Sequence, residues 1–248
     1  MKVKTILVSQ PEPKSDTSPY HELAKKQKVS VDFRPFIHVE GVDGAEVRQQ
    51  KISLTDHTAV ILTSRNAVDH YFRVCEEMRF DVPTAMKYFC MSEAIAFYLQ
   101  KYITYRKRKI YFGKQRFAEL IDTIKKHKTE KFLLPSSDLL KPLIPQLLDD
   151  NKINYSRAIL YKTVCSDLSD LDDVYYDILV FFSPSGIKSL FQNFPDFEQK
   201  NTRIAAFGQT TVKAVTDAGL KVNIEAPSVK APSMTMALEQ YIKDANKK

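Results

Sequence analysis

One local pattern occurs twice in this chain, and it restricts the fold more than any other feature. An apolar run, Ile178–Phe182, is followed by small polar residues, Ser183–Gly186, and then by residues at helical spacing. A continuous run of this kind predicts a strand covered on both faces, and the Ser-Pro pair predicts a helix cap and first turn. The same pattern recurs at Thr58–Phe72, where Ser64 takes the place of Ser183. The chain therefore contains two copies of a strand, turn and helix unit.

The duplication extends to two further pairs of segments. Lys87–Leu99 corresponds to Thr202–Val215, with Ser92 in the place of Gly208. Thr5–Ser9, followed by a helix, corresponds in the same way to Lys131–Ser136. Repeats of this length indicate two copies of one α/β layer unit, since the repeats of a solenoid are several times shorter.

The predicted fold class is therefore α/β, with two similar domains built on parallel sheets. A length of 248 residues fits one or two domains of ordinary size, and we predict two. The apolar content of 44% and the charged content of 27% are close to those of ordinary globular chains, so both domains should have proper cores.

Several connecting segments can be placed from local signals. The polar, glycine-bearing segment Glu40–Ala45 and the acidic segment Cys165–Val174 are the two candidate linkers. Val29–Val39 is predicted to form one strand. A strand at Phe132–Leu134 is predicted to end at Pro135, with Pro135–Asp138 forming a loop before the next helix.

The net charge of +7 predicts an anionic partner, because a basic surface attracts anions over long range. Nucleic acid, a membrane surface and a polycarboxylate ligand all satisfy this condition. The basic, tyrosine-containing segment Thr104–Gly113 can be interpreted as a nucleic-acid groove. Charged protection of an edge strand at Ile110–Phe112 is the simpler interpretation, and we favour it.

Cysteine and histidine usage gives no sign of a metal or a disulfide framework. The three cysteines are widely spaced and the five histidines are scattered without a metal-binding spacing. Gly-x-Gly-x-x-Gly and Walker motifs do not occur in the sequence, so nucleotide chemistry is disfavoured. The bunched aspartates of Cys165–Val174 could ligate a hard cation, but a solvated crossover is the simplest interpretation. We predict no metal and no cofactor.

The sequence also predicts a cytoplasmic location. Free cysteines fit a reducing compartment, and the amino-terminal residues enter a short strand without a secretory core. No apolar run approaches the length needed to cross a bilayer.

The order of several short motifs resembles that of the uroporphyrinogen-III synthase family. The motifs are Thr63–Val68, Leu160–Thr163, Phe182–Gly186, Phe207–Thr211 and Ala226–Ser228. Each is weak alone, but their order and spacing together are fairly specific. The resemblance covers nearly the whole chain. It implies two α/β domains of flavodoxin-like layers joined by a two-stranded connector, with a cleft between them. The implied domains are residues 1–38 with 166–248, and 43–157, with connectors at 39–42 and 158–165.

The activity that the resemblance implies is that of a cofactor-free lyase in tetrapyrrole biosynthesis. Such an enzyme cyclises hydroxymethylbilane to uroporphyrinogen III and inverts ring D. The substrate is a small molecule with eight carboxylates, which suits a basic protein with exposed helix N-termini. The expected protein is a monomer that binds neither nucleic acid nor membrane. The alternative is a non-catalytic clamp that binds a tetrapyrrole, another polyanion or a protein partner.

The resemblance places Tyr161 in the cleft, where a phenol could donate a proton to the leaving hydroxyl. From the residues alone, a packed core tyrosine is the more ordinary interpretation. For Thr210 and Thr211, helix capping and ligand contact are both open. The predicted substrate-binding residues, chosen from the small-residue turns, are Ser9, Ser64, Asn66, Ser92, Ser136, Ser183, Ser185, Gly186, Gly208, Thr210 and Thr211.

The chain departs from the family pattern at three turns. Ser92–Ile95 stands where Gly-x-Ala-Thr is usual, which removes a hydroxyl and adds the negative charge of Glu93. Gln209 stands where proline is usual, before the two threonines. Pro135–Ser137 stands where many members have an arginine-glycine pair, so another possible anion contact is missing.

Overall fold

The computed structural model describes residues 2–114, 116–171 and 173–247. The chain divides into two compact units, each with its own sheet. Unit 1 contains Met1–His38 and Val164–Lys248, and unit 2 contains Val39–Thr163. Gln115 and Asp172, which is one of the aspartates in the acidic segment, lie outside the described residues.

Unit 1 is built on a parallel sheet with helices packed on both faces. Its strands, in sheet order, are β11 (Val222–Ala226), β10 (Arg203–Phe207), β9 (Ile178–Phe181), β1 (Thr5–Val8) and β2 (Ser30–Phe33), and each neighbouring pair is parallel. Its helices are α1 (Pro19–Gln27), α7 (Pro184–Asn193), α8 (Gln209–Asp217) and α9 (Met234–Asn246).

Unit 2 has the same architecture. Its sheet order is β3 (Ile37–Gly41), β8 (Tyr155–Cys165), β7 (Phe132–Ser137), β4 (Ala59–Leu62), β5 (Lys87–Cys90) and β6 (Ile110–Phe112), and the pairs from β8 to β6 are parallel. Its helices are α2 (Gly44–Gln49), α3 (Arg65–Glu77), α4 (Glu93–Tyr98), α5 (Phe117–Lys125) and α6 (Leu143–Asp150). The predicted fold class, two parallel-sheet α/β layers, is confirmed.

The central strands are apolar throughout because both faces of each sheet are covered. In β9, Ile178 and Val180 pack in the same core cluster as residues of α1 and α9, whereas Leu179 and Phe181 pack with residues of α7 and α8. Successive side chains of a strand point to opposite faces, so one run of four residues contributes to two cores. Each fully buried side chain of this size contributes about 1.5–3 kcal/mol.

The helix starts predicted after Ser64 and Ser183 are confirmed by capping hydrogen bonds, and two further helices begin in the same way. The Oγ atoms of four serines accept a hydrogen bond from a backbone N–H of the helix that follows, and these serines are Ser18, Ser64, Ser183 and Ser233. Pro19 and Pro184 occupy the first helical position, where the missing N–H has no intrahelical partner to lose.

Two expectations for strands were wrong, and each involves a proline. The predicted strand Val29–Val39 is interrupted, and Ser30–Phe33 and Ile37–Gly41 are separate strands on either side of Pro35. Proline has no N–H to donate and a fixed φ, so it ends the first strand. In contrast, β7 continues through Pro135 to Ser137, three residues beyond the predicted end. β4 pairs with β7 only at Phe132 and Leu133, so the missing N–H of Pro135 falls outside that ladder.

The chain passes between the two units along β3 and β8, which are neighbours in the sheet. The bounds of the units fall after His38 in β3 and after Thr163 in β8. The connectors implied at 39–42 and 158–165 stay a prediction. β6 is the last strand of its sheet, as the edge-strand interpretation of Thr104–Gly113 expects.

Candidate active site

The predicted site residues follow strands that end at the same edge of their own sheet. The strands of unit 1 and the strands β8 to β6 of unit 2 are parallel, so their carboxyl ends lie along one edge of each sheet, which is where ligands bind in open α/β sheets. In unit 2, Ser64 follows β4, Ser92 follows β5, and Tyr161 of β8 is paired with Ser137 of β7.

Ser64 and Tyr161 form the centre of this edge. Ser64 Oγ accepts a hydrogen bond from the Ala67 amide at 3.0 Å, and it lies 3.3 Å from the Tyr161 hydroxyl oxygen. Tyr161 is only 7% exposed. Burial raises the pKa of the Tyr161 phenol, although the Ser64 hydroxyl and the Ser137 backbone act in the opposite direction. The phenol is therefore protonated at neutral pH and available as a proton donor.

The ring of Tyr161 is fixed by a histidine of α3. The imidazole of His70 stacks on it, with ring centroids 4.9 Å apart and an interplanar angle of 18°. Burial lowers the pKa of His70, and the charge of Arg73 lowers it further. His70 is therefore a neutral packing partner for Tyr161 at neutral pH.

A cavity of about 440 Å³ opens beside this pair, and we call it the carboxyl-end cavity. Ser64, Ser137 and Tyr161 contribute hydroxyl groups to its lining. Its other lining residues are Thr63, Met91, Arg116, Phe117, Ala118, Leu139, Leu140, Lys141, Leu143 and Ile144. The lining thus combines hydroxyl groups, two cations and a large apolar surface.

Two leucines of this cavity are unusually exposed for their type. Leu139 is 61% exposed and Leu143 is 56% exposed. Both lie in or beside the loop that joins β7 to α6, next to Lys141. An apolar surface with a cation beside it suits a flat ring that carries carboxylates.

The two cations of the carboxyl-end cavity are available to a ligand. Among the described residues, neither Arg116 nor Lys141 takes part in an ion pair within 4.0 Å. The nearby carboxylate of Glu119 accepts the backbone N–H groups of Lys114 and Arg116, at 2.9 and 3.4 Å. Glu119 therefore caps the start of α5 and does not form an ion pair with the side chain of Arg116 or Lys141.

The other predicted residues of unit 2 differ in their accessibility. Asn66 is exposed in the first turn of α3, where the first amides have no intrahelical acceptor. Ser92 is half-buried at the start of α4 and makes no side-chain capping bond, and Glu93 beside it is exposed. Ser136 is completely buried within β7.

Ser136 is held by an arginine of β8. Arg157 donates from Nε to Ser136 Oγ at 2.9 Å, and from Nη2 to the carbonyl oxygens of Ser137 and Asp138 at 2.9 and 3.0 Å. These bonds fix the end of β7. Ser137, the next residue, lines the carboxyl-end cavity instead.

Sequence reasoning missed Ser137 and both cations. The signal that could have found them is their position, because Arg116 follows β6 and Lys141 follows β7, at the carboxyl ends of strands.

In unit 1, the corresponding edge carries the remaining predicted residues. Ser9 follows β1, Ser183 follows β9 and Gly208 follows β10, and these three strands are neighbours in the sheet. Ser9 is 8% exposed, and its backbone N–H donates to the Val180 carbonyl at 3.0 Å. The structure therefore brings Ser9, Ser183 and Gly208 to one edge of unit 1.

Gly186 and Ser185 lie in the first turn of α7. A Cβ added to Gly186 would lie 3.1 Å from the Phe181 ring and 3.8 Å from Ser9 Oγ, so this turn packs closely against β1 and β9. The Gly186 amide donates to Ser183 Oγ at 3.4 Å, while Ser185 is half-buried.

The start of α8 has no side-chain cap, unlike the start of α7. Gly208 is the N-cap at φ 84°, a conformation that favours glycine, and it provides no side-chain cap. Thr210 is exposed. Thr211 is 1% exposed, and its hydroxyl has no hydrogen-bond partner among the described residues. Helix capping thus does not account for Thr211, and a buried hydroxyl without a partner is rare in proteins.

Among the described residues, no group of three or more histidine, cysteine, aspartate or glutamate side chains is arranged to hold a metal ion. In the acidic segment, Asp170 pairs with Arg34 at 2.6 Å, and Arg34 also donates to the Asp167 carbonyl. In the part of the chain that is described, no helix combines the length and the apolar character needed to span a bilayer.

The fold and its edge turns define the class: an α/β protein of two parallel-sheet units with small-residue turns at the carboxyl ends of the strands. Residues 18–236 match the profile of the family described as Uroporphyrinogen-III synthase HemD. The chain belongs to the uroporphyrinogen-III synthase family, so the predicted resemblance is confirmed.

Individual relatives agree with this assignment. A uroporphyrinogen-III synthase of Saccharomyces cerevisiae is 27% identical over 139 residues, which cover 50% of this chain and 50% of the relative. The matched region thus spans about half the length of that curated relative.

Two solved structures show the same fold as this chain. The uroporphyrinogen-III synthetase of Helicobacter pylori has a TM-score of 0.63 at 17% identity, covering 97% of this chain and 99% of that chain. A mutant uroporphyrinogen III synthase of Thermus thermophilus has a TM-score of 0.55 at 14% identity, covering 99% and 100%. At these identities the similarity concerns the fold alone.

Proposed function

We propose that this protein is a uroporphyrinogen-III synthase, a lyase that cyclises hydroxymethylbilane with loss of water and inversion of ring D. The observation that carries the proposal is the carboxyl-end cavity, in which a protonated Tyr161, an apolar wall and two cations occur together. Family membership favours this activity over the non-catalytic clamp.

The carboxyl-end cavity matches the chemistry of one ring of the substrate. A pyrrole ring that carries acetate and propionate groups has an apolar face and two negative charges. Leu139 and Leu143 offer exposed apolar surface to the ring, and Arg116 and Lys141 offer cations to its carboxylates. The backbone N–H groups in the first turn of α3 have no hydrogen-bond acceptor within the helix, so they add further donors for a carboxylate.

The proposed chemistry requires little beyond one proton donor and positioning. The Tyr161 hydroxyl donates a proton to the leaving hydroxyl, which departs as water and leaves an azafulvene cation. The azafulvene carbon bonds to the substituted α-carbon of the last ring, the bond from that carbon to its original methylene bridge breaks, and the released methylene carbon bonds to the free α-carbon of the same ring. Loss of the proton from that α-carbon, which can return to the Tyr161 oxygen, leaves the closed macrocycle with ring D inverted. The stack on His70 and the contact with Ser64 restrict the position of the phenol before the substrate binds. No cofactor or metal is part of this proposal.

The predicted contacts of unit 1 remain part of the proposal. The turns at Ser9, Ser183–Gly186 and Gly208–Thr211 are proposed to bind further carboxylates through backbone amides and hydroxyls. The partnerless, buried hydroxyl of Thr211 supports a ligand contact at this turn. Ser92 and Asn66 are kept as contacts of unit 2, and Ser137 is added because it lines the cavity.

We also propose that the protein acts as a cytoplasmic monomer without nucleic acid or membrane partners. The edge position of β6 supports the interpretation of the basic segment Thr104–Gly113 as protection against strand pairing.

The test is the isomer that forms from freshly made hydroxymethylbilane. An active enzyme gives the type III isomer, whereas spontaneous closure gives type I. We expect type III product, with a KM that rises in Lys141→Gln and with added salt, because screening weakens exposed charge attraction. Lys126→Gln is the matched control, since Lys126 is also an exposed lysine of unit 2 but does not line the cavity.

Only type I product, from folded protein in excess over substrate, would contradict the proposal. That result would favour the clamp, for which the loss of the usual hydroxyl at Ser92–Ile95 and the charge of Glu93 are the supporting observations. Saturable binding of a porphyrinogen without type III product would then identify the clamp directly.

A further inference from the structure

A second cavity, of about 210 Å³, lies at the amino-terminal ends of β5 and β6 in unit 2. We call it the amino-end cavity. It shares no lining residue with the carboxyl-end cavity. The proposed lyase reaction makes no use of it, so its shape and charge need a separate explanation.

The floor of the amino-end cavity is apolar and deeply buried. Met86, Tyr88 and Ile110 are 2%, 3% and 4% exposed, and the half-buried side chains of Val82 and Ile103 form its walls. A cavity of roughly 150 Å³ with an apolar lining can bind benzene. The amino-end cavity is larger, so it has room for one aromatic ring and a small substituent. Thioether and phenol groups are also favourable neighbours for an aromatic ring.

One polar group of the floor has no partner inside the protein. The hydroxyl of Tyr88 makes no hydrogen bond to another described residue, and its oxygen atom is not fully buried although the side chain as a whole is. Burial raises the pKa of Tyr88, so the hydroxyl keeps its proton as a donor. A polar substituent on a bound ring could accept this hydrogen bond.

The rim of the amino-end cavity is positively charged. Arg106 and Lys109 line it, and the two segments that form it, Val82–Met86 and Ile103–Ile110, contain no acidic residue. The Lys109 ammonium donates to the Thr84 carbonyl, which joins the two segments. An ammonium group has three N–H donors, so others remain for a ligand. An apolar floor below a cationic rim is complementary to a molecule with a ring at one end and an anion at the other.

We propose that the amino-end cavity binds a small aromatic monocarboxylate. The ring occupies the space between Val82, Ile103 and the floor, and the carboxylate lies at Arg106 and Lys109. A ring substituent that accepts a hydrogen bond takes the Tyr88 hydroxyl as its donor. This binding site is independent of the proposed lyase reaction and requires no tetrapyrrole.

The probe is 4-hydroxybenzoate, titrated into the full chain labelled with ¹⁵N and followed by amide chemical shifts. We expect saturable shifts at residues 82–88 and 103–110, with a dissociation constant of about 1 mM or lower, which is within the efficiency of ligands of this size. The neutral analogue 4-hydroxybenzamide should bind more weakly because it lacks the negative charge.

A matched pair of variants isolates the role of the rim. Arg106→Gln should weaken 4-hydroxybenzoate binding by about 1.5- to 5-fold, the range for an exposed charge pair, and should leave 4-hydroxybenzamide unaffected. Arg108→Gln removes an equal charge from an exposed residue of the same segment that does not line the cavity, and it should change neither. Ile103→Trp, which fills the cavity, should abolish binding while thermal unfolding reports whether the fold is kept.

Three results would overturn the proposal. The first is the absence of saturable shifts at these residues. The second is equal weakening by Arg106→Gln and Arg108→Gln, which would mean that net charge alone attracts the ligand. The third is a set of shifts confined to the carboxyl-end cavity. None of these results depends on the isomer assay, so this proposal and the proposed function can fail separately.

Discussion

Replacing Tyr161 with phenylalanine tests the chemical role of its hydroxyl with little change to the fold. The variant keeps the ring, and so it keeps the stack on His70 at 4.9 Å. It loses the contact between the hydroxyl and Ser64 Oγ at 3.3 Å, which is long for a hydroxyl hydrogen bond, and the interaction of the hydroxyl with the Ser137 backbone. Ser64 also retains the Ala67 amide. The expected loss of unfolding free energy is therefore at the low end of about 0.5–1.5 kcal/mol.

The expected effect of Tyr161→Phe on the reaction is much larger. A positioned proton donor typically contributes about 10²–10⁴-fold, so the rate of type III formation should fall by that range. The fall should appear in kcat with little change in KM, because the proposed role of the hydroxyl is to act on the leaving group during the reaction. In the wild type, ionisation of Tyr161 should not limit the rate near neutral pH, since burial raises its pKa above the ordinary value.

The assay measures type III formation and urea unfolding on the same preparations. Tyr111→Phe is the control, because it removes a hydroxyl that donates to the Arg108 carbonyl at 3.0 Å in the same unit but outside the carboxyl-end cavity. An unchanged rate in Tyr161→Phe would refute the proton-donor role. A large loss of stability with a proportionate loss of activity would instead identify Tyr161 as a core residue. A rate loss well below 10²-fold would mean that positioning dominates.

The strands and helix starts could be predicted because their signals are local. In Ile178–Phe181 and Ala59–Leu62, the capping serine lies only two residues after the end of the apolar run. A strand covered on both faces needs such a run, and a helix start needs such a cap, wherever the unit lies in the fold. Pro35 and Pro135 show the limit of local signals. Pro35 follows the end of β2, whereas Pro135 lies within β7. A proline interrupts a strand only where a neighbouring strand requires its missing N–H, and the local sequence does not identify that neighbour.

The lining of the carboxyl-end cavity could not be predicted in the same way. Arg116, Lys141 and Tyr161 follow or belong to three different strands, and only the order β8-β7-β4-β5-β6 brings them to one edge. The different environments of Ser136 and Ser137 have a related cause. Successive residues of a strand face opposite sides, so once β7 extends beyond Leu134, Ser136 faces Arg157 and Ser137 lines the cavity.

Two further predictions concern single side chains of unit 2. Ser64→Ala should lower the unfolding free energy by about 1 kcal/mol, because it removes the bond to the Ala67 amide, whereas Ser92→Ala should have little effect because Ser92 makes no side-chain capping bond. Equal urea midpoints for the two variants would contradict this. The last prediction concerns acid stability. Burial lowers the pKa of His57 in the folded protein, whereas the pKa of a histidine in the unfolded chain is about 6.5. Just below pH 6.5, His57 therefore takes up a proton in the unfolded chain but stays neutral in the folded protein, which favours unfolding. The contribution of neutral His57 to the unfolding free energy is therefore fully present above pH 6.5. It is lost progressively as the pH falls from 6.5 towards the lowered pKa of His57 in the folded protein. His57→Gln should therefore flatten the loss of unfolding free energy between about pH 6.5 and 5, and parallel curves for His57→Gln and the wild type would show that another group controls acid unfolding.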